Sequence, residues 1–438
     1  MRAHGIPPRS GSLGKVADCM DQIIGLSGLV LVFVLAFWRK LPMGAVALSF
    51  AYFLGVFYFD SIPQEISDGF PGHLIVTLIG VTYLFGIGHV NGTVDQIVAS
   101  LVAAVRGRVV WIPWVFFILA MAITASGALS VATLSILMPI GMGFAQKHKI
   151  NPILMGLAII NGTNAGGFSP VAVYYLIISG VLGKQGIEID PVPMFIFTML
   201  GSLLLNIVAF FIFGGRDLVR QSRPGVEEMA LPRLPSSTIG PWKTEQILTI
   251  TTMILVMTST VVFGHDVGYM AITGAIILAA FHPEQAQEGL KRIGWGVVLL
   301  IGGMVTYVNV LDSAGIISDL AERVANLGTP LIAALILFYV ASFITMFASS
   351  NAMFVIIAPL AAPLMLGGEV GPLGFAIALV LSVVTTDSCP ISTAGALVVA
   401  NSPEHRQQRT FNTLLKWSFS VLLTVPLLTW LIFVVIPN

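Results

Sequence analysis

Apolar stretches long enough to approach a membrane crossing recur along the chain, and they come in the same order twice. In the first half, residues 22–38 and 41–59 predict two spans separated by the basic pair Arg39–Lys40. An acidic, polar linker follows with Asp60, Glu65 and Asp68, and residues 73–90 predict a third span. Residues 93–105 place Val94, Ile97, Val98 and Leu101 on one face, the pattern of an interfacial helix. The stretch 109–146 is apolar but broken near Ala125–Ser130, which predicts two spans or a re-entrant hairpin. Residues 152–183 are apolar at both ends and polar across Asn161–Ser169, and 192–213 close the half. The second half repeats this order. Spans are predicted at 244–263, 267–281 and 294–311, and an amphipathic segment at 313–326. A stretch at 329–366 is broken near Ser349–Asn351, another at 372–400 is broken near Thr385–Ser392, and a last span covers 411–435.

The two halves also share a register. Pro139, Pro152 and Pro170 recur as Pro359, Pro372 and Pro390, all displaced by one constant interval. Gly80 and Gly92 recur as Gly303 and Gly315, displaced by an interval only slightly longer. Repeats whose hydrophobic segments break at matching positions point to the binding site of a transporter. The predicted organisation is an N-terminal extension at 1–20, expected to be disordered, a first repeat at 21–213, a linker at 214–243 and a second repeat at 244–438.

Composition narrows the class. The chain is 56% hydrophobic and only 10% charged, against roughly 25% charged in soluble domains. Apolar stretches of about 20 residues suit a bilayer, so an all-α polytopic membrane protein is expected. Equal numbers of Lys+Arg and Asp+Glu, 21 each, give no reason to expect a nucleic-acid partner. Cys19 and Cys389 lie far apart with no zinc-like spacing, so neither a disulfide nor a metal site is expected. Basic residues set orientation. They place the 214–243 linker in the cytoplasm, together with Arg39–Lys40, Arg106–Arg108, Lys147–Lys149, Lys291–Arg292 and Arg406–Arg409. Five crossings per half then make the repeats inverted, with the 60–68 linker and the C-terminus outside. The basic residues Arg2, Arg9 and Lys15 run against this placement, so the location of the N-terminus stays open.

The candidate chemistry sits in four polar breaks. Two are short tips between apolar arms, Ala125–Thr133 and Phe347–Ala352; two interrupt a span, Asn161–Pro170 and Thr385–Ser392. Backbone unwound at membrane depth persists only when buried or lining a cavity. Half-helix N-termini suit an anion, and carbonyls and hydroxyls suit a hard cation. Substrate contacts are therefore expected from Ser130, Asn164, Gly166, Ser169, Pro170, Ser350, Asn351, Ser388, Cys389 and Pro390. Cation contacts are expected from Ser126, Asn161, Thr163, Ser349, Asn351, Thr385, Thr386 and Asp387. The competing view is that Ser, Thr, Asn and Gly simply help helices pack in lipid. Asp387 is the one carboxylate placed deep in a span; it either serves binding and coupling or caps the half-helix after its break. Tyr83, Tyr174, Tyr175 and Tyr307 read as packing residues, and His73, His89 and His265 as interfacial.

Three segments carry a resemblance. Phe70-Pro71-Gly72-His73-Leu74, Gly80-Val81-Thr82-Tyr83-Leu84-Phe85 and Asn91-Gly92-Thr93-Val94-Asp95 resemble the N-terminal signature of MatC-type malonate/dicarboxylate carriers. Leu299–Gly303 and Ser350–Asn351 are similar to the wider ion transporter superfamily, which includes the divalent anion–sodium symporters. The resemblance implies two inverted repeats, each with a re-entrant hairpin and a broken helix, in a homodimer that works as an elevator. It implies a small dicarboxylate substrate, malonate or a C4 acid, carried across a bacterial inner membrane. In those symporters each tip carries Ser-Asn-Thr. Here Val131 follows Ser130, and Ala352 follows Ser350–Asn351. The expected cofactor is none, or a sodium ion; coupling to sodium, to protons or to neither stays open. The alternatives are a sodium/proton antiporter or an inorganic oxyanion carrier on the same fold. An intramembrane enzyme is disfavoured, because the spans hold no paired carboxylates and no His-Glu-x-x-His.

Overall fold

The structure is a computed structural model that describes residues 12–39, 41–59, 61–94, 96–97, 100, 109–221, 241–316, 330–347, 350–367 and 370–436. Among these residues the regular structure is helical. Helix α1 (Ser12–Arg39) starts inside the expected 1–20 extension. A backbone that hydrogen-bonds within itself is the economical solution for an apolar segment, so the first span simply continues toward the N-terminus. Helix α2 (Met43–Phe57) follows, then α3 (Pro63–Asp68) and α4 (Gly72–Val90). The apolar stretch 109–146 is two helices, α5 (Ile112–Ala125) and α6 (Ser130–Lys147), and 152–183 is α7 (Pro152–Gly166) and α8 (Val173–Gly183). Helix α9 (Pro191–Ile212) and the short α10 (Gly215–Gln221) end the first half.

The second half runs α11 (Thr244–Phe263), α12 (Val267–Phe281), α13 (Pro283–Leu290) and α14 (Trp295–Ser313). Then come α15 (Pro330–Thr345), α16 (Ser350–Leu366), α17 (Pro372–Thr385), α18 (Thr393–Ala400) and α19 (Gln407–Trp430). Each predicted break meets a change of helix among the described residues, but the one expected at Asn161–Ser169 is displaced: α7 stays helical through Gly166, so Asn161, Thr163 and Asn164 lie in its last turns. Most of 93–105 and most of 313–326, expected as amphipathic segments, lie outside the described residues, as do most of the 214–243 linker and Asn438. Among the described residues, five helical segments are long and apolar enough to cross a membrane: Pro63–Val90, Pro191–Ile212, Trp295–Ser313, Pro372–Ala400 and Glu404–Val435. The chain is a multi-pass membrane protein.

The repeated residues do the same jobs in both halves. Pro152 and Pro372 open α7 and α17 at a position where the missing N–H costs nothing. Pro139 and Pro359 sit inside α6 and α16. Gly92 and Gly315 adopt left-handed φ values of 75° and 78° just past α4 and α14, a conformation a side chain would strain. Pro63 and Pro283 both start short helices that the polar sequence of the linkers did not predict.

The chain divides into two compact units that cut across the repeats. The first takes the described residues of Met1–Gly72 and Trp295–Gly328. Within it, α2 packs on α14 so closely that a Cβ on Gly303 would sit 1.9 Å from the Gly44 carbonyl oxygen. The Tyr307 hydroxyl donates to the Gly25 carbonyl at 2.7 Å, tying α14 to α1. The second unit takes His73–Gly294 and Thr329–Asn438. Here α4 packs on α12, and a Cβ on Gly80 would lie 2.5 Å from the Gly268 carbonyl oxygen. Gly80 and Gly303 are repeat partners. The same glycine-to-carbonyl approach therefore joins a helix of one half to a helix of the other in each unit. Asn91 also fastens the end of α4 to α11, donating to Thr249 Oγ1 at 2.8 Å.

Candidate functional site

All the described candidate residues fall in the second unit, on the four breaks. The first tip is Ser126–Leu129, between α5 and α6, and its sharp turn puts Gly127 at φ 106°. The second tip lies between α15 and α16; Ser349 is outside the described residues. Each tip presents a buried serine as the first residue of its second arm, Ser130 on α6 and Ser350 on α16. These are repeat partners, and both bear on the hydroxyl of Tyr174. Tyr174 sits in the first turn of α8, just after the break at Ser169–Pro170. Its ring stacks edge-on against Phe354 of α16 at 5.2 Å and tilts against Phe168 at 5.5 Å. Aromatic contacts of this kind hold rings in fixed orientations. Tyr174 packs, as expected, against Phe168 and Phe354.

Asp387 lies in the short 3₁₀ turn Thr386–Ser388 at the end of α17 and is buried. Ser350 Oγ lies 2.6 Å from both carboxylate oxygens, donating its single proton to one of them at a time. Asp387 also bears electrostatically on Tyr174. A buried carboxylate is costly unless charge-assisted hydrogen bonds or a cation offset its lost hydration. The capping alternative for Asp387 does not hold. Ser392 caps α18 instead, accepting from the Gly395 N–H at 3.3 Å and donating to the carbonyls of Asp387 and Cys389.

The other candidates divide between site and scaffold. Asn351, next to Ser350, is buried with its Oδ1 unpartnered, and so is the Nδ2 of Asn161. Buried amides without partners are uncommon and mark places where a ligand or water belongs. Ser388 donates to the Thr385 carbonyl at 3.2 Å and meets Ser418 of α19 at 3.3 Å. Thr385 and Thr386 spend their hydroxyl protons on backbone carbonyls, Leu381 for the first and Ser342 and Val383 for the second. Thr163 does the same with Ile160, Ser126 with Ile123 and Ser169 with Ala125. Asn164 donates to the Val384 carbonyl at 2.9 Å. Gly166 is a packing position: a Cβ there would lie 2.2 Å from the Met121 carbonyl oxygen on α5. Pro170 and Pro390 keep the breaks non-helical, and Cys389 is a buried free thiol among Met346, Leu415 and Leu422. Among the described residues, no three His, Cys, Asp or Glu side chains gather as metal ligands.

Comparison with known proteins fits this arrangement. Residues 20–167 match the family described as the dicarboxylate carrier protein MatC N-terminus. The resemblance to MatC-type carriers therefore stands. No curated protein matches the chain. Among solved structures, the YdaH transporter of Alcanivorax borkumensis aligns at a TM-score of 0.62 and 14% identity, covering 94% of this chain and 98% of that one. At that identity the likeness concerns the fold alone. The expectation of a transporter rather than an enzyme is met.

Proposed function

We propose that the chain carries small dicarboxylates across a bacterial inner membrane by elevator-type alternating access, as a homodimer of inverted repeats. The observation that supports this most directly is the hydrogen bond from Ser350, the repeat partner of Ser130, to the buried Asp387. Two hydroxyls from matched tips suit the two oxygens of a carboxylate, and the broken helices on either side add their ends. Asn351 Oδ1 and the Asp387 carboxylate are hard oxygen donors near the same tip, and they fit a sodium ion. A proton on Asp387 would meet the same charge requirement, so coupling runs to sodium or to protons through this residue.

The test is an uptake screen in reconstituted vesicles with malonate, succinate, tartrate and citrate, with and without sodium. Saturable uptake of a C3 or C4 diacid supports the reading, and uptake of none of the four ends it. The buried carboxylate also favours a second reading, a sodium/proton antiporter. That reading predicts a sodium-driven pH change in vesicles that no diacid alters.

A further inference from the structure

The first tip borders a cavity that the substrate site does not use. It measures about 200 Å³ and is lined by Thr82 and His89 of α4, Gly127 and Leu129 of the tip, Ser135 of α6, and Arg292 just past α13. A second cavity of about 170 Å³ touches the same tip at Ala125 and Ser126. Its other walls include Val81, Leu84, Met253 and Met257, and it holds no charged side chain. The two cavities thus share a tip and differ in polarity.

Arg292 sets that difference. Its guanidinium makes no ion pair among the described residues. The nearby Glu288 feels its charge but is committed to Lys291 at 2.7 Å. The hydroxyl protons of Thr82 and Ser135 are already given to the carbonyls of Leu78 and Val131. Arg292 is therefore the permanently charged residue among those that line this space. Its planar fork matches a carboxylate with two parallel bonds. A single exposed cation gives weak, salt-sensitive attraction, and a cleft with low-dielectric walls concentrates the opposite charge.

We propose that this cavity is an anion-recruiting antechamber, in which Arg292 takes a carboxylate of the incoming diacid beside the first tip. The proposal rests on the dicarboxylate reading and adds a second anion site to it. It assigns Arg292 to capture, separate from the contacts that Ser130 and Ser350 make at the substrate site.

Binding of succinate and of malonate to the full chain in neutral-lipid nanodiscs, at low and at physiological ionic strength, tests it. Wild type should bind more tightly at low salt. Arg292→Gln should weaken low-salt binding about tenfold, as expected for one lost charge-assisted hydrogen-bond pair, and should flatten the salt dependence. Arg292→Lys should keep the salt dependence with intermediate affinity. Because Arg292 is exposed, the variants should melt with wild type, which separates lost capture from lost fold. Unchanged affinity and salt response in Arg292→Gln would overturn the antechamber alone. A difference confined to nanodiscs containing anionic lipid would also overturn it, since Arg292 would then serve lipid headgroups. Wild type that binds neither acid would instead overturn the dicarboxylate reading.

Discussion

Asn164 donates its side-chain amide to the main-chain carbonyl of Val384 at 2.9 Å, and these two positions are each other's repeat partner. Matched positions touch only where the relation between the two halves brings them to one line. Asn164 lies near the end of α7 and Val384 near the end of α17. The bond therefore clamps the two broken helices where both stop. Asn164→Ala should remove one of two hydrogen bonds to this buried carbonyl, which also accepts from the Thr386 N–H, and cost about 0.5–1.5 kcal/mol, seen as a lower melting temperature in detergent. Unchanged melting would mean that water replaces the amide.

Ser130 and Ser350 should behave as a pair. Each alanine variant should lose roughly 1.5–3 kcal/mol of diacid binding, about ten- to a hundredfold. Ser350→Ala also removes the hydroxyl that serves Asp387. A double-mutant cycle between Ser350→Ala and Asp387→Asn should therefore show a coupling of about 0.5–3 kcal/mol, while the cycle of Ser126→Ala with Asp387→Asn should be additive. Strict additivity for Ser350 and Asp387 would separate them functionally.

Asp387→Asn keeps the shape of the side chain and removes its charge. If sodium is the coupled ion, this variant should lose sodium dependence while still recognising the diacid. If protons are, its uptake should become flat with pH. Wild-type responses to both ions in Asp387→Asn would make the carboxylate structural and send coupling elsewhere.

His148 gives a pH effect unrelated to transport. It is buried past the end of α6 with both ring nitrogens unpartnered, stacked on Phe144 at 6.2 Å. Burial, and then the charge of Lys147, push its pKa below the ordinary imidazole value. Folding therefore favours the neutral ring. At neutral pH it costs nothing, and stability falls as acid protonates the unfolded chain's imidazole first. His148→Phe should flatten the decline in melting temperature between neutral and mildly acidic pH. A parallel decline in the variant would place the acid sensitivity at other groups.

Gly303 and Gly80 test the repeated helix contact. Valine at Gly303 would drive its side chain into the Gly44 main chain, and valine at Gly80 into that of Gly268. Overpacking of this kind costs typically about 1–3 kcal/mol, occasionally more, and backbone cannot yield as a side chain does. Both variants should lose folded yield in fluorescence-detected size exclusion, whereas Gly143→Val, which meets nothing, should not.

The sequence makes the spans and the four breaks legible because apolar runs and polar interruptions are local signals. Pro152 and Pro372 mark helix starts, and the polar runs Asn161–Ser169 and Thr385–Ser392 mark where α7 and α17 end, although α7 carries on to Gly166 before it unwinds. Helices α3 and α13 escape such reading because they are short and polar, and only Pro63 and Pro283 announce them. Asp387 stands out as a buried charge, but its partner Ser350 is distant in sequence and is supplied by a different hairpin. Gly166 looks like a ligand position beside Asn164, yet what decides its role is the approach of α5, which no spacing encodes.

The pairing of α2 with α14 also sets a clock on biogenesis. Gly44 is made early, and the Leu299–Gly303 surface it packs against emerges only after more than half of the chain has been synthesised. At about 5–20 residues per second of synthesis, α2 waits on the order of 10–50 s in the membrane without its partner. Through that interval its small-residue face, Gly44, Ala47, Ala51 and Gly55, is open to lipid or to an insertion chaperone. A ribosome stalled between α2 and α14 should leave a nascent chain whose first unit is still protease-sensitive, and release past α14 should make it resistant.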